Sequence, residues 1–139
     1  MLKFIHLFFI GVWLGLYLVE TVIEIVGHKT KNHILVAKMH YYVDIFIEIP
    51  VFMTVLVTGL LLFDTNKFSG LYAIKIICGL IAVSANIVCF AFVAIRNQAA
   101  RSNDLERVRK ISPYVWIWWA ALPIALVPLA IGMHFKGLL

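Results

Sequence analysis

Long apolar runs broken by short polar stretches organise this chain. Four are legible: Leu2 to Val26, Tyr41 to Phe63, Leu71 to Ile95 and Tyr114 to Phe135. Each reaches the ~20 residues that an α-helix needs to cross a bilayer core of ~30 Å. The third and fourth runs lack a strongly polar face, which argues against helices lying flat on a membrane surface. The first run is longer than the apolar stretch of a signal peptide, holds Glu20 and Glu24, and shows no small-x-small cleavage pattern before His28. The pattern predicts an all-α integral membrane protein, a four-helix antiparallel bundle folded as one domain over residues 1–139.

Composition strengthens that expectation. The 139 residues are 63% hydrophobic and 14% charged, and the mean hydropathy is +0.99. Soluble domains carry about 45–50% apolar and roughly 25% charged residues. One small core cannot hide so much apolar surface, so lipid is the expected solvent. In a soluble chain the net charge of +5 would suggest nucleic acid as a partner. Here the basic residues fall between the runs and report topology instead. Lys29, Lys31, Lys38, Arg96, Arg101, Arg107, Arg109 and Lys110 belong to the first and third connections, against Lys3, Lys67, Lys75 and Lys136 on the other side. The positive-inside rule then puts both termini outside, and a bacterial inner membrane is the default for this size and topology. Cys78 and Cys89 share one predicted helix, separated by about 16 Å along its axis, too far to pair.

Several connections are also legible. Gly27 is placed to cap the first helix, and "HKTKNHILVAKM" reads as a basic connection. Pro50 should bend the second helix beside Glu48. Arg96 to Pro113 reads as an extension of the third helix followed by a turn, with Ser112-Pro113 opening the fourth. Trp116, Trp118 and Trp119 read as an interfacial aromatic belt, and Asn86 as an interhelical hydrogen-bonding group.

Chemistry concentrates in the first two runs. Glu20, Glu24 and His28 recur every four residues, and His40, Asp44 and Glu48 repeat the interval in mirrored order. Such residues share a helix face. If the two helices run antiparallel, His28 faces His40, Glu24 faces Asp44, and Glu20 faces Glu48. An ionised acid near the bilayer centre costs on the order of 2.5–3.5 kcal/mol, and no arginine or lysine is expected at matching depth. Protons, a cationic substrate or metal ions would have to neutralise these acids. The inventory is that of carboxylate-bridged two-metal bundles, although those use a Glu-x-x-His interval. One ion is expected among Glu24, His28, His40 and Asp44, and a second among Glu20, Glu24, Asp44 and Glu48. Mixed nitrogen and oxygen ligation suits iron, manganese, zinc or copper. At the opposite end, His6 and His134 lie at one predicted depth and could serve as the two imidazoles of a b-type haem.

The stretches "LKFIHLFFIGVWLGL", with Lys3, His6, Trp13 and Gly15, "MHYYVDIFIEIPVFMTVLVTGLLL", with Tyr42, Pro50 and Thr58-Gly59, and "GLYAIKI", with Lys75, resemble small four-helix membrane proteins of two types. These are the oxygen-independent protoporphyrinogen oxidase type and the copper-resistance protein D type. The resemblance spans about the first hundred residues. It implies a haem-linked or copper-linked membrane function, with His6 as a haem-ligand candidate and Lys75 near the cofactor. The four acids have no counterpart in that pattern.

The residues together predict a membrane-embedded transition-metal protein with redox chemistry, in which carboxylates bridge metals and histidines are terminal ligands. Tyr17 or Tyr41 would be nearby proton or electron partners, and a quinol or porphyrinogen an apolar substrate. The competing readings are a haem oxidoreductase on His6 and His134, and a metal or proton transporter. Partners would be the lipid bilayer and further copies of the chain, with no nucleic acid.

Overall fold

A computed structural model describes residues 1–120 and 122–134, without the side chains of residues 67, 122, 123, 133 and 134. The chain is all-α, with no strand among the described residues. Helix α1 is Leu2–Thr30, α2 is His33–Leu61 and α3 is Gly70–Arg101. Helix α4 is Leu105–Trp119, and after a 3-10 turn at Leu122–Ala125 comes α5, Leu126–His134. By length and apolar composition, α1, α2 and α3 can each cross a membrane.

The fourth apolar run departs from expectation. It is divided between α4, the 3-10 turn and α5 instead of forming one helix. Ser112-Pro113 does not open a helix, because Pro113 lies inside α4. Pro123 falls in the 3-10 turn and Pro128 in the first turn of α5. Proline lacks the amide proton that would continue the helical ladder, so this segment breaks where its prolines are.

The chain divides into two compact units, one of Met1–Phe63 with Phe90–Pro113, the other of Asp64–Cys89 with Tyr114–Leu139. In the first, α1 and α2 reverse direction over Lys31 and Asn32 alone. Lys31 adopts the left-handed conformation at φ 58°, ψ 20°. The Asn32 amide donates to the Gly27 carbonyl at 3.1 Å, while the Asn32 carbonyl accepts from Val36 at 3.1 Å. One helix is thus closed as the next begins. Gly27 is not the expected cap: it is buried three residues before the end of α1.

Its role is close approach. A Cβ on Gly27 would fall 2.9 Å from the Val36 Cβ and overlap its Cγ2. Gly27→Ala is therefore expected to destabilise the protein by ~1–3 kcal/mol through overpacking. Adding Val36→Ala should recover most of the loss, as read by thermal unfolding in detergent.

Beyond the turn, Ala37, Ala99, Ala100 and Val108 form a fully buried cluster flanked by Ile34 and Ile111. Alanines at these positions let helix backbones approach. Outward faces are apolar instead: Phe4, Phe8, Leu18, Val22, Phe46 and Leu60 are all more than half exposed. Buried acids and exposed phenylalanines invert the usual arrangement of a soluble fold.

In the second unit, Asp64 accepts from the Asn66 amide at 3.1 Å and so caps the turn Thr65–Lys67. The Asp64 amide donates to the Tyr72 hydroxyl at 3.0 Å. Ala82, Ala85, Asn86, Cys89 and Val115 are buried. Both cysteines are free thiols.

Candidate metal centre

Five of the six ladder residues come together in the first unit. Glu20, Glu24, His40, Asp44 and Glu48 are each at most 7% exposed. Their rungs are offset from the expected pairing, and the two-residue turn is the reason. A shorter connection slides α2 by one helical turn against α1, so His40 meets Glu24 instead of His28. Asp44 shares a cluster with Glu20 instead of Glu24. His28 is left exposed at the end of α1, its ring edge-on to His33 at 5.8 Å. The structure therefore does not bring His28 to the other ladder residues.

The second helix contains a local widening. Asp44–Glu48 forms a π-helical turn immediately before Pro50. On an α-helix each four-residue step drifts by about 40°. A turn closed by five-residue hydrogen bonds holds more than four residues, and this offsets the drift. Asp44 and Glu48 therefore stay on the face of His40. Such bulges recur at functional sites.

A residue that sequence reasoning placed in a connection completes the cluster. Arg96, 1% exposed, comes from α3. Its guanidinium forks onto Glu24, with Nη1 donating to Oε2 at 3.1 Å and Nη2 to Oε1 at 2.5 Å. The expectation that no basic side chain lies at the depth of the acids is thereby corrected. Helix α3 continues past Ile95 to Arg101, and a long side chain reaches inward from it. Both Glu24 oxygens are engaged by Arg96, so the expected first ion site, built on Glu24 and His28, is not assembled. Fork-to-fork pairing of this kind is strong and directional.

The fork also meets the imidazole. His40 Nδ1 lies 2.5 Å from Glu24 Oε1 and 2.9 Å from Arg96 Nη2. A proton on Nδ1 would donate to the carboxylate, which can only accept, and would leave Nε2 with the lone pair an ion needs. Nε2 is turned toward the other two acids. It faces Asp44 Oδ1 at 3.4 Å and Glu20 Oε2 at 3.6 Å.

Glu20, His40 and Asp44 present ligand atoms that all lie within 4.8 Å of one another. Two ligand atoms each ~2.0–2.2 Å from an ion, set tetrahedrally, stand roughly 3.3–3.6 Å apart. The spacings around Nε2 already match. No hydrogen bond reaches Glu20 Oε1 or Asp44 Oδ1, although both are buried. Buried oxygens in that condition cost free energy unless a cation or proton meets them. Glu24 is answered by Arg96, whereas Glu20 and Asp44 face the imidazole. Among the described residues Arg96 is the only lysine or arginine buried. The arrangement can hold a metal ion, with an imidazole nitrogen whose far side is braced by a carboxylate.

The remaining candidates lie elsewhere. His6 Nδ1 is 2.9 Å from the Thr58 hydroxyl, in the first unit. Lys75 belongs to the second unit, where a Cβ on Gly132 would sit 3.5 Å from its Nζ. The side chain of His134 lies outside the described residues, and with it the expected haem pair. Tyr41 sits under the Arg101 guanidinium, 5.7 Å from its carbon to the ring centroid. Comparison with protein-family models, with curated proteins and with solved structures finds no match.

Proposed function

We propose that this chain is an integral membrane protein that holds one transition-metal ion between α1 and α2, on Glu20, His40 and Asp44. The observation that carries the reading is a pair of buried carboxyls flanking the His40 Nε2, each with one oxygen, Glu20 Oε1 and Asp44 Oδ1, that no hydrogen bond reaches. Three long apolar helices with exposed aromatic and aliphatic faces support insertion in lipid. In this proposal the connection Lys31–Asn32 and the turn after Arg101 are cytoplasmic. The broken segment after Pro113 makes the fourth crossing, both termini lie outside, and the membrane is a bacterial inner membrane.

One imidazole and several carboxylates favour iron, manganese or zinc over a thiolate-seeking copper(I) ion. Bound iron or manganese would supply one-electron chemistry. The chain's part is to hold the ligands: Arg96 fixes Glu24, Glu24 fixes the His40 tautomer, and the packed helices exclude water. An apolar partner such as a quinol fits a site reached from lipid. Equilibrium dialysis of the detergent-purified chain against manganous or zinc ions tests the reading. One ion per chain is expected for the wild type; failure to bind either ion would leave the acids to protons and end the metal reading. Uptake of metal into vesicles, abolished in Glu48→Gln, would move the function from redox chemistry to transport.

A further inference from the structure

We propose that Glu48 is the fourth ligand of this ion and that Trp13 is its positioning residue, an inference that rests on the metal reading of Glu20, His40 and Asp44. Trp13 is 5% exposed, and its indole N–H donates to Glu48 Oε1 at 2.7 Å. An indole nitrogen can only donate, so this bond fixes one carboxylate oxygen and with it the plane of the group. Glu48 is 2% exposed and follows Asp44 along the same helix, while Trp13 stands two turns before Glu20 on α1. The Trp13–Glu48 bond therefore extends the buried stripe on which Glu20 and Asp44 lie.

The local structure supports a built position. Glu48 closes the π-helical turn that Asp44 opens, and that turn returns Glu48 to the ligand face. The indole is itself held: its ring meets Phe52 edge-on at 5.8 Å, and Phe52 meets Phe90 edge-on at 5.7 Å. Three aromatic rings in succession leave the indole little rotational freedom. Metal-ligating carboxylates characteristically carry such an outer hydrogen bond, and its loss costs about 10–100-fold in metal affinity. With Glu48 the set becomes one nitrogen and three carboxylates, enough to complete a four-coordinate ion.

Trp13→Phe keeps the ring against Phe52 and deletes only the donor. Manganous ion, followed by loss of its free-ion paramagnetic resonance signal, is the probe on the full chain in detergent. The variant is expected to bind about 10–100-fold more weakly with an unfolding midpoint close to wild type. Glu48→Gln should bind at least as weakly, and the double variant no more weakly than Glu48→Gln alone, because Trp13 acts through Glu48. Unchanged affinity in Trp13→Phe, or losses that multiply in the double variant, would overturn the inference while leaving the three-residue site standing. No binding by the wild type would instead remove the metal reading beneath it. Should Trp13→Phe not fold, replacing Trp116, Trp118 and Trp119 by Phe leaves Trp13 as the sole tryptophan. Manganous ion is expected to quench its emission with the same midpoint as binding, and an unquenched Trp13 would count against the placement.

Discussion

Arg96→Met is expected to destabilise the protein by ~3–5 kcal/mol, the cost of removing one partner from a buried ion pair. Glu24 would be left 7% exposed, with both oxygens deprived of their donors from α3. Glu24→Leu/Arg96→Met removes both charges and should regain most of the stability, since apolar replacements of a buried pair are often neutral or better. Chemical unfolding in mixed micelles would read both values. Wild-type stability in Arg96→Met would show that the fork contributes nothing in the folded protein. The double variant should still bind metal more weakly, because His40 Nδ1 loses the carboxylate that holds its proton.

The second large effect has two signs. Glu20→Gln/Asp44→Asn removes two proposed ligands and should weaken metal binding by at least ~100-fold, more than the loss of an outer hydrogen-bond partner. In the metal-free protein the same change should raise stability by on the order of 1–3 kcal/mol, because acids buried without a partner are costly. Function bought against stability is a familiar property of binding sites. Dialysis and micellar unfolding on one preparation measure both. A variant that loses stability when metal-free would show that the acids hold the bundle together by themselves, and the site would lose its reason.

How much of this was legible in the sequence depends on the residue. The apolar runs locate α1, α2 and α3, each a helix long and apolar enough to cross a membrane. The four-residue interval of the ladder puts Asp44 beside His40, where the structure has it at 3.4 Å, and Pro50 follows the place where the backbone departs from α-helical geometry. The rung pairing was beyond reach, since it depends on the length of a turn. Nothing local distinguishes a two-residue reversal at Lys31 and Asn32, with a lysine in the left-handed conformation, from a longer basic connection. Arg96 was missed because basic residues at the end of an apolar run ordinarily mark the membrane surface. Its signal was the small-residue pair Ala99 and Ala100, which implies that α3 stays packed beyond Ile95. Trp13 also had one: it lies seven residues before Glu20, on the same stripe of α1. The fourth run misled because hydropathy counts the apolar residues and is blind to prolines 123 and 128.

X-ray absorption at the metal edge, on the loaded wild type and on His40→Ala, would show whether His40 holds the ion. A first shell of oxygen with one imidazole nitrogen at ~2.0–2.2 Å is expected, with loss of the imidazole signature and of most of the metal in His40→Ala. A shell unchanged by His40→Ala would place the ion elsewhere on the chain and rule out the site between α1 and α2.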